Sequence, residues 1–448
     1  MERAAERSLE ASGEFYVERG SLEFGFVGDE EVLDCEKNNC AFTNPKSPYG
    51  LTVLPLSREE NFLAKYEDPR TPSYAREAFD AGGQNGDSRV WQLRSDEVVV
   101  SVGCTPPASA SRYFAFTGYL FELYDRDRKE WVSVFGSVQD SIGVFHEYAA
   151  DHGIENRLKT AASSFDFDDV PEEKSAFNKL TIVVMGASKR SLEETQKRLH
   201  EALEEFQIDD VVNPIVISKP FLEDIGLEAH SNYYALIVRN IVPSSGEEAF
   251  KAYAREHPLS AWRITPKKQI PLLEEDQFEM PPPVSRELPQ LHDGLGFEAP
   301  FAQGLEELIN QIAKAYERKN VVAHAIGTGS SLGLLDVDGG IDCVERKLEI
   351  CNGDNRDAQY LSTYPLMLLD NEDKFAYVVG VNHRATGLVA YSNIAVSDMQ
   401  VKLGVRSIDD EEMMGSADPW LKGTPYEDMS RYYYAIRFSR HCNGASLP

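Results

Sequence analysis

The order of apolar and polar positions divides the chain into strand-like and helix-like stretches. In the first half, residues 98–102 form a continuous apolar run typical of a buried strand. The aromatic-rich run 112–124 is followed by the charged segment 125–130 and then by a second β-prone run at 131–138. Two β-prone runs joined by a short polar segment predict a hairpin.

The clearest periodicity lies at residues 178–265. Two helix-like stretches alternate there with four apolar, strand-like runs, at 180–185, 211–217, 233–242 and 259–264. The first helix is predicted to begin at Ser191, because Glu194 three positions later completes a capping box. The second is predicted at 247–256. The resulting order β-α-β-β-α-β predicts a ferredoxin-like unit.

These patterns predict an α+β protein, with β-rich N- and C-terminal units and a central ferredoxin-like βαββαβ unit. Whether the last domain packs on the first is left open by the sequence. The predicted parts are a partly ordered tail at 1–25, a β-rich N-terminal domain at 26–165, the ferredoxin-like domain at 178–265, a Pro-rich linker at 266–300 and an α+β C-terminal domain at 301–448.

Composition and charge narrow the classes of partner. The chain has 448 residues, of which 42% are apolar, and its formal net charge is −29. Such an excess of acidic groups excludes a large phosphate-binding surface, and with it nucleic acid and anionic membrane as partners. We therefore expect a small-molecule ligand that is neutral or cationic. The given sequence has no apolar run of 18 residues and no signal peptide, so we expect a soluble protein of unknown compartment.

The cysteines leave two alternatives open. Cys35 lies five positions before Cys40, and Cys343 lies eight positions before Cys351. Two short-loop disulfides would indicate an oxidising compartment, whereas buried free thiols are equally compatible with these spacings.

Candidate chemistry centres on His383, which lies in a polar segment between predicted paired strands at 375–381 and 388–396. Polar residues on a turn held by a sheet are common in functional sites, and an imidazole exchanges protons near neutral pH. Asn382 would orient a substrate, and Arg112 would anchor it. An exposed turn histidine without a role is the alternative.

A second histidine, His324, lies in the apolar run 321–326. If His324 and His383 converged, they would form an acid–base or metal site; a hydrogen-bonded core histidine is the alternative. The glycine-rich segment 327–333 is not followed by a helix-like stretch, so it does not predict a phosphate site. No motif requires a cofactor, and the sequence assigns no metal.

Two classes of function follow. The first is an enzyme that acts on a small molecule by acid–base chemistry, with a slight preference for hydrolysis. The segment 134–143 is similar to the serine block of GDSL-type hydrolases through Asp140 and Ser141, although Gln139 occupies the position of the family's glycine. The second is a non-catalytic binding or self-assembling structural protein.

Overall fold

The chain divides into two compact units, and each is described by itself. The first comprises Met1–Val284 and Leu332–Tyr360, and the second comprises Ser285–Ser331 and Leu361–Pro448. The computed structural model describes residues 2–26, 33–34, 46–59, 87–145, 156–161, 176–208, 210–282, 299–317, 329–330, 351, 353, 355, 357–358, 361–362, 374–398 and 403–439.

The first unit is built on one large curled sheet. Its helices are α1 Glu2–Ala11, α2 Lys189–Glu204 and α3 Glu247–Arg255. Its strands, numbered along the chain, are β1 Phe15–Phe26, β2 Leu33–Asp34, β3 Gly50–Val53, β4 Val98–Cys104, β5 Tyr113–Asp125, β6 Glu130–Ser137, β7 Ile142–Phe145, β8 Leu180–Gly186, β9 Val212–Val216, β10 Tyr233–Ile241 and β11 Leu259–Pro266.

The strands follow the order β6-β5-β10-β3-β1-β11-β4-β8-β9, with β2 beside β1 and β7 beside β5. The sheet curls until β5 lies close to β9. Gln139, just after β6, accepts a hydrogen bond from the backbone N–H of Val216 at 2.9 Å. Gly118 of β5 lies against Ile215 and Met185, and a Cβ at this position would stand 2.9 Å from the Ile215 side chain. The close approach of the two strands therefore depends on glycine.

Alternation along the strands separates an inner from an outer core. Val98 and Val100 of β4 face outward, where α1 and α2 cover the sheet, whereas Val99 faces inward. The inner core contains Phe116, Met185 and other apolar side chains. Phe250, on the apolar face of α3, packs into the same inner core.

The α+β class is confirmed, but the central ferredoxin-like unit is not. Its predicted helices and strands form, yet β8 and β9 are parallel neighbours, β10 lies between β5 and β3, and β11 lies between β1 and β4. The strands of 178–265 therefore belong to the same sheet as those of 26–165. Hydrophobic periodicity specifies a strand and its buried face but not its partner, so the remote strands β1, β3 and β5 were not foreseen as partners.

The tail predicted at 1–25 is instead part of two elements, α1 Glu2–Ala11 and β1 Phe15–Phe26. Leu9 of α1 is buried in the outer core, and β1 hydrogen-bonds with β11 over seven residue pairs. Part of the expected linker also packs on the first unit. The N–H of Ile270 donates to Asp96 at 2.6 Å, and the N–H of Lys219 donates to the carbonyl of Phe278 at 3.0 Å.

Helix α2 begins earlier than predicted. Ser188, in an extended conformation, is the N-cap, and its side chain accepts a hydrogen bond from the backbone N–H of Ser191. The predicted capping box at Ser191 and Glu194 is therefore wrong by one helical turn. Ser188 has the same capping chemistry, and starting there places the buried Ser191 and Leu192 on the face that packs on the sheet.

The second unit has a small core around one long helix. Leu308 and Ile312 of that helix pack with Trp420 and Tyr433. Its helices are α4 Ala302–Glu317, α5 His383–Thr386, α6 Asp410–Met413 and α7 Asp418–Leu421. Its strand pairs are β12 Gly329–Ser330 with β13 Leu361–Ser362, β14 Phe375–Val381 with β17 Tyr433–Ser439, and β15 Asn393–Asp398 with β16 Leu403–Asp409.

The predicted pairing of 375–381 with 388–396 is wrong. Strand β14 pairs with β17, with Val378 opposite Ile436. The segment between the two predicted strands folds into α5 rather than into a hairpin turn, so the strand that follows pairs with β16 instead.

The structure bears in part on two predictions, the absence of a membrane-spanning segment and the state of the cysteines. Within the described ranges, no helix is long and apolar enough to cross a membrane. Cys104 is a free thiol. Cys35, Cys40 and Cys343 lie outside the described residues, so both disulfides stay predictions.

Candidate functional site

The segment around His383 is a capped single-turn helix. Asn382 is almost fully buried, and its side-chain oxygen accepts hydrogen bonds from the backbone N–H groups of Arg384 at 3.2 Å and Ala385 at 3.4 Å. Gly387 ends the turn in the left-handed conformation, with φ of 79°. The Asn382 oxygen thus stabilises the start of this helix.

The other residues predicted for this site come from different parts of the chain. The His383 ring is half-buried, and its Nδ1 lies 3.4 Å from the Thr386 hydroxyl. Arg112 belongs to the first unit, where its backbone N–H donates to the carbonyl of Ile241. His324 lies outside the described residues. The structure brings Asn382 and His383 together, while the catalytic roles of His383, Asn382, Arg112 and His324 stay predictions.

We expect Asn382→Ala to lower the free energy of unfolding of the second unit by about 1 kcal/mol, the usual loss when an Asn N-cap is removed. Asn382→Asp, which keeps the accepting oxygen, provides the control. Chemical denaturation of the two variants measures the difference, and equal stability of Asn382→Ala and the natural chain would contradict the capping role.

Ser141, the serine of the segment similar to GDSL-type hydrolases, is buried in the connection between β6 and β7. Its Oγ lies 2.6 Å from the Thr117 Oγ1 and donates to the Asn355 Oδ1 at 3.1 Å. These contacts join the sheet to the described residues of 351–358. This segment is assigned to the first unit, although the preceding residues 285–331 and the following residues 361–448 belong to the second. The contacts give Ser141 a structural role.

Asp357 anchors the same returning segment. Its carboxylate accepts hydrogen bonds from the Tyr113 hydroxyl at 2.5 Å and from Arg157 Nη2 at 2.7 Å. Burial, and next the charge of Asp357, raise the pKa of Tyr113 well above its ordinary value, so this phenol stays protonated as a donor. We name Tyr113, Thr117, Ser141, Arg157, Asn355 and Asp357 the clamp.

A different concentration of charge lies on the inner face of the curled sheet, at the end opposite α3. Glu18 of β1 shares this face with the core residue Leu22, and Arg263 of β11 shares it with Ala261. Glu97 precedes β4 on the same face as Val99. We name the following residues the mouth cluster: Glu18, Ser57, Arg94, Asp96, Glu97, Arg263 and Thr265.

Glu97 lies at the centre of the mouth cluster and is fully buried. Its Oε1 accepts from the hydroxyls of Ser57 at 2.5 Å and Thr265 at 2.7 Å. Its Oε2 accepts from Arg263 Nη1 at 2.8 Å and from the backbone N–H of Arg94 at 3.0 Å. Burial acts to raise the pKa of Glu97, but the charge of Arg263 and these hydrogen bonds outweigh it, so the pKa is lowered.

Arg263 is also fully buried. Its Nε and Nη1 donate to the carbonyls of Pro55 and Gln92, both at 3.0 Å. Glu18 lies directly opposite Arg263 on β1, and its Oε1 accepts from Arg58 Nε at 3.0 Å. Arg263 Nη2 and Glu18 Oε2 are both buried, and neither has a hydrogen-bond partner in the part of the chain that the structure describes. Buried polar atoms are normally paired, so this couple is unusual.

The two carboxyl groups differ in their tendency to hold a proton. Burial raises the pKa of Glu18 above its ordinary value, although the charge and hydrogen bond of Arg58 lower it in part. Glu97 stays ionised and fixes Arg263, whereas Glu18 has a pKa displaced toward neutral pH, where a carboxyl group exchanges protons. Arg263 keeps its charge and can donate to an oxygen atom. The cluster therefore combines a proton-exchanging acid with a fixed cationic donor.

The mouth cluster was not predicted from the sequence, because the predicted site residues lay on polar turns or were histidines. The available signal was a charged residue inside an otherwise apolar strand, as Arg263 is between Trp262 and Ile264. Among the described residues, no group of three or more His, Cys, Asp or Glu side chains is placed to hold a metal ion.

No known protein-family model, curated protein or solved structure matches this chain.

Proposed function

We propose that the chain is an enzyme that transfers a proton to and from a small molecule held by its carbonyl oxygen at the mouth cluster. The observation that carries the proposal is the pair of buried atoms Glu18 Oε2 and Arg263 Nη2, on directly opposed positions of β1 and β11, neither of which has a hydrogen-bond partner among the described residues. One atom belongs to a proton-exchanging group and the other to a permanent donor. Mouths of curled sheets are common ligand sites.

The reaction needs only these two groups. The Glu18 carboxylate takes a proton from the carbon next to the carbonyl. The electron pair of that C–H bond forms a carbon–carbon double bond, and the π pair of the carbonyl moves onto its oxygen. Arg263 Nη2 donates to this oxygen and stabilises its negative charge. After the Glu18 carboxyl group exchanges this proton with solvent, return of a proton to the same carbon re-forms the carbonyl and completes an exchange. Glu97 positions Arg263 and does not react.

The hydrogen bonds of Ser57 favour proton transfer over hydrolysis at this site. Ser57 lies in the mouth cluster, and its hydroxyl donates to Glu97 at 2.5 Å. A carboxylate whose pKa is lowered is a weak base, so it does not activate a serine as a nucleophile. The Glu18 side chain is 15% exposed, and its ion-pair partner Arg58 is 54% exposed.

The test is deuterium exchange, which reports proton transfer without knowledge of the product. The chain is incubated in D2O with a panel of small aldehydes, ketones and 2-oxo acids, and loss of the C–H signal next to the carbonyl is followed by proton NMR. We expect catalysed exchange of at least one compound, lowered by about 100-fold or more in Glu18→Gln, the usual contribution of a general base.

Glu10→Gln, which removes an exposed carboxylate from α1, is the matched control and should exchange at the natural rate. Unchanged exchange in Glu18→Gln would contradict the proposal, as would absence of catalysed exchange across the panel.

Full burial of Arg263 and Glu97 favours a second candidate, a non-catalytic protein that binds a small molecule at the same place. A rigid, hydrogen-bonded donor suits binding as well as catalysis. Saturable binding of a panel compound without deuterium exchange would identify this second function.

A further inference from the structure

The entrance to the mouth cluster carries two exposed cations around one tyrosine. Tyr16 precedes Glu18 by two positions on β1, so both side chains leave the same face of the sheet. The Arg58 guanidinium lies 4.4 Å from the centre of the Tyr16 ring, and the Lys267 ammonium lies 5.3 Å from it. We name Tyr16, Arg58 and Lys267 the lip.

Backbone pairing places Lys267 on this face. Thr265 is opposite Tyr16 in the β1–β11 ladder, and the N–H of Lys267 donates to the carbonyl of Glu14 at 2.8 Å, which extends the ladder by one step. Lys267 is therefore on the same side as Thr265, whereas the exposed Lys268 leaves on the other side.

Local charge at the mouth differs from that of the whole chain. Counting Glu59, which pairs with Arg94 at 2.7 Å, four acidic and four basic side chains lie in the mouth cluster and the lip. They balance, while the chain carries a formal charge of −29. The basic groups nearest the entrance, Arg58 and Lys267, are exposed, whereas Glu97 and Asp96 are buried and paired.

From this arrangement we infer that the substrate is a small carboxylate anion, a carbonyl compound whose carboxylate is held at the lip by Arg58 and Lys267 while its carbonyl oxygen reaches Arg263. The inference rests on the proposed function for the role of Arg263 and Glu18, and it adds the charge of the substrate. Two cations already gathered on one ring offer a carboxylate charge-assisted hydrogen bonds.

The experiment compares 2-oxobutanoate with butanone, which lacks the carboxylate. Binding to the full chain is measured by NMR line broadening for the natural protein, Lys267→Gln, Arg58→Gln and Lys268→Gln. We expect 2-oxobutanoate to bind and butanone to bind at least about tenfold more weakly, since one charge-assisted hydrogen bond contributes about a tenfold change. Lys267→Gln and Arg58→Gln should each weaken 2-oxobutanoate binding by about tenfold or more.

Lys268→Gln removes the same charge one position away. It should leave the dissociation constant for 2-oxobutanoate within about twofold of the natural protein's value, because this charge acts on the ligand only from a distance. Equal effects of Lys267→Gln and Lys268→Gln, or equal binding of 2-oxobutanoate and butanone, would overturn the inference. So would failure of 2-oxobutanoate to bind. The proposed function is tested separately. If the chain binds 2-oxobutanoate selectively but does not catalyse deuterium exchange, the anionic ligand is supported and the proposed catalysis is contradicted.

Discussion

Arg263→Met is expected to lower the free energy of unfolding of the first unit by about 3–5 kcal/mol, because it leaves an ionised carboxylate buried without its charge partner. Glu97 has no exposure, and Arg263 supplies its charged hydrogen bond. Urea denaturation measures the loss, with the slope of the transition as a check that the unfolded state is unchanged. A loss below about 1 kcal/mol would contradict a tightly coupled pair.

The double variant Arg263→Met with Glu97→Leu is the matched control. Because no unpaired charge remains, we expect it to recover most of the stability lost by Arg263→Met. The dependence of the free energy of unfolding on acidic pH should also change in the double variant. The folded pKa of Glu97 is lowered, so its contribution to stability is present above the unfolded pKa and is lost as the pH falls through the folded value. The double variant should lack this acid-induced loss.

The same pair of variants separates stability from function. A double variant that folds stably but neither binds 2-oxobutanoate nor exchanges deuterium would show that the charges are retained for the site. Stability alone gives little reason for a buried ion pair, because apolar replacements often fold as well. Normal binding by the double variant would instead assign the mouth cluster a structural role.

Local patterns predicted β4 to β6 and the helices and strands of 178–265, but not α1, β1 or the arrangement of the strands. The hairpin of β5 and β6 was foreseen because its two strands adjoin in sequence, and Tyr124 pairs with Trp131 as the short charged turn requires. The pairing of β1 with β11 joins Phe15 to Pro266 across almost the whole unit. Each strand carries the same alternating signal whatever its neighbour, so residue periodicity cannot choose between remote partners.

The candidate site escaped prediction for the same reason. Glu18, Glu97 and Arg263 come from three separate strand regions, and only the ladder order β1-β11-β4 brings them together. Whole-chain charge does not by itself set the charge of a ligand, because a ligand meets the groups that face it and not the sum over the surface. The net charge of −29 predicted a neutral or cationic ligand, whereas Arg58 and Lys267 at the lip favour an anion.

The clamp fixes a segment that the sequence placed in the C-terminal domain. Residues 332–360 belong to the first unit although the chain on both sides of them belongs to the second. Backbone hydrogen bonds from Cys351 to Val134 at 2.7 Å and from Gly353 to Phe135 at 2.8 Å attach the segment along β6. Asp357 supplies the charged contact, and its side chain is only 2% exposed.

Asp357→Ala is therefore expected to release this segment and to lower the free energy of unfolding by about 2–3 kcal/mol, the usual loss when hydrogen bonds to a charged group are removed. Tyr113 is buried, and Arg157 Nη1 lies 4.0 Å from Asp140. Loss of Asp357 thus removes a charged acceptor from the Tyr113 hydroxyl and from Arg157 Nη2.

Hydrogen–deuterium exchange measured by mass spectrometry distinguishes local release from general destabilisation. The amides of Cys351 and Gly353 should exchange faster in Asp357→Ala, while the amides of the β4–β8 ladder, remote from the clamp, keep their protection. Tyr113→Phe removes one donor without leaving an unpaired charge, so its effect on both measurements should be smaller. Unchanged exchange at Cys351 and Gly353 in Asp357→Ala would show that the backbone contacts with β6 hold the segment by themselves.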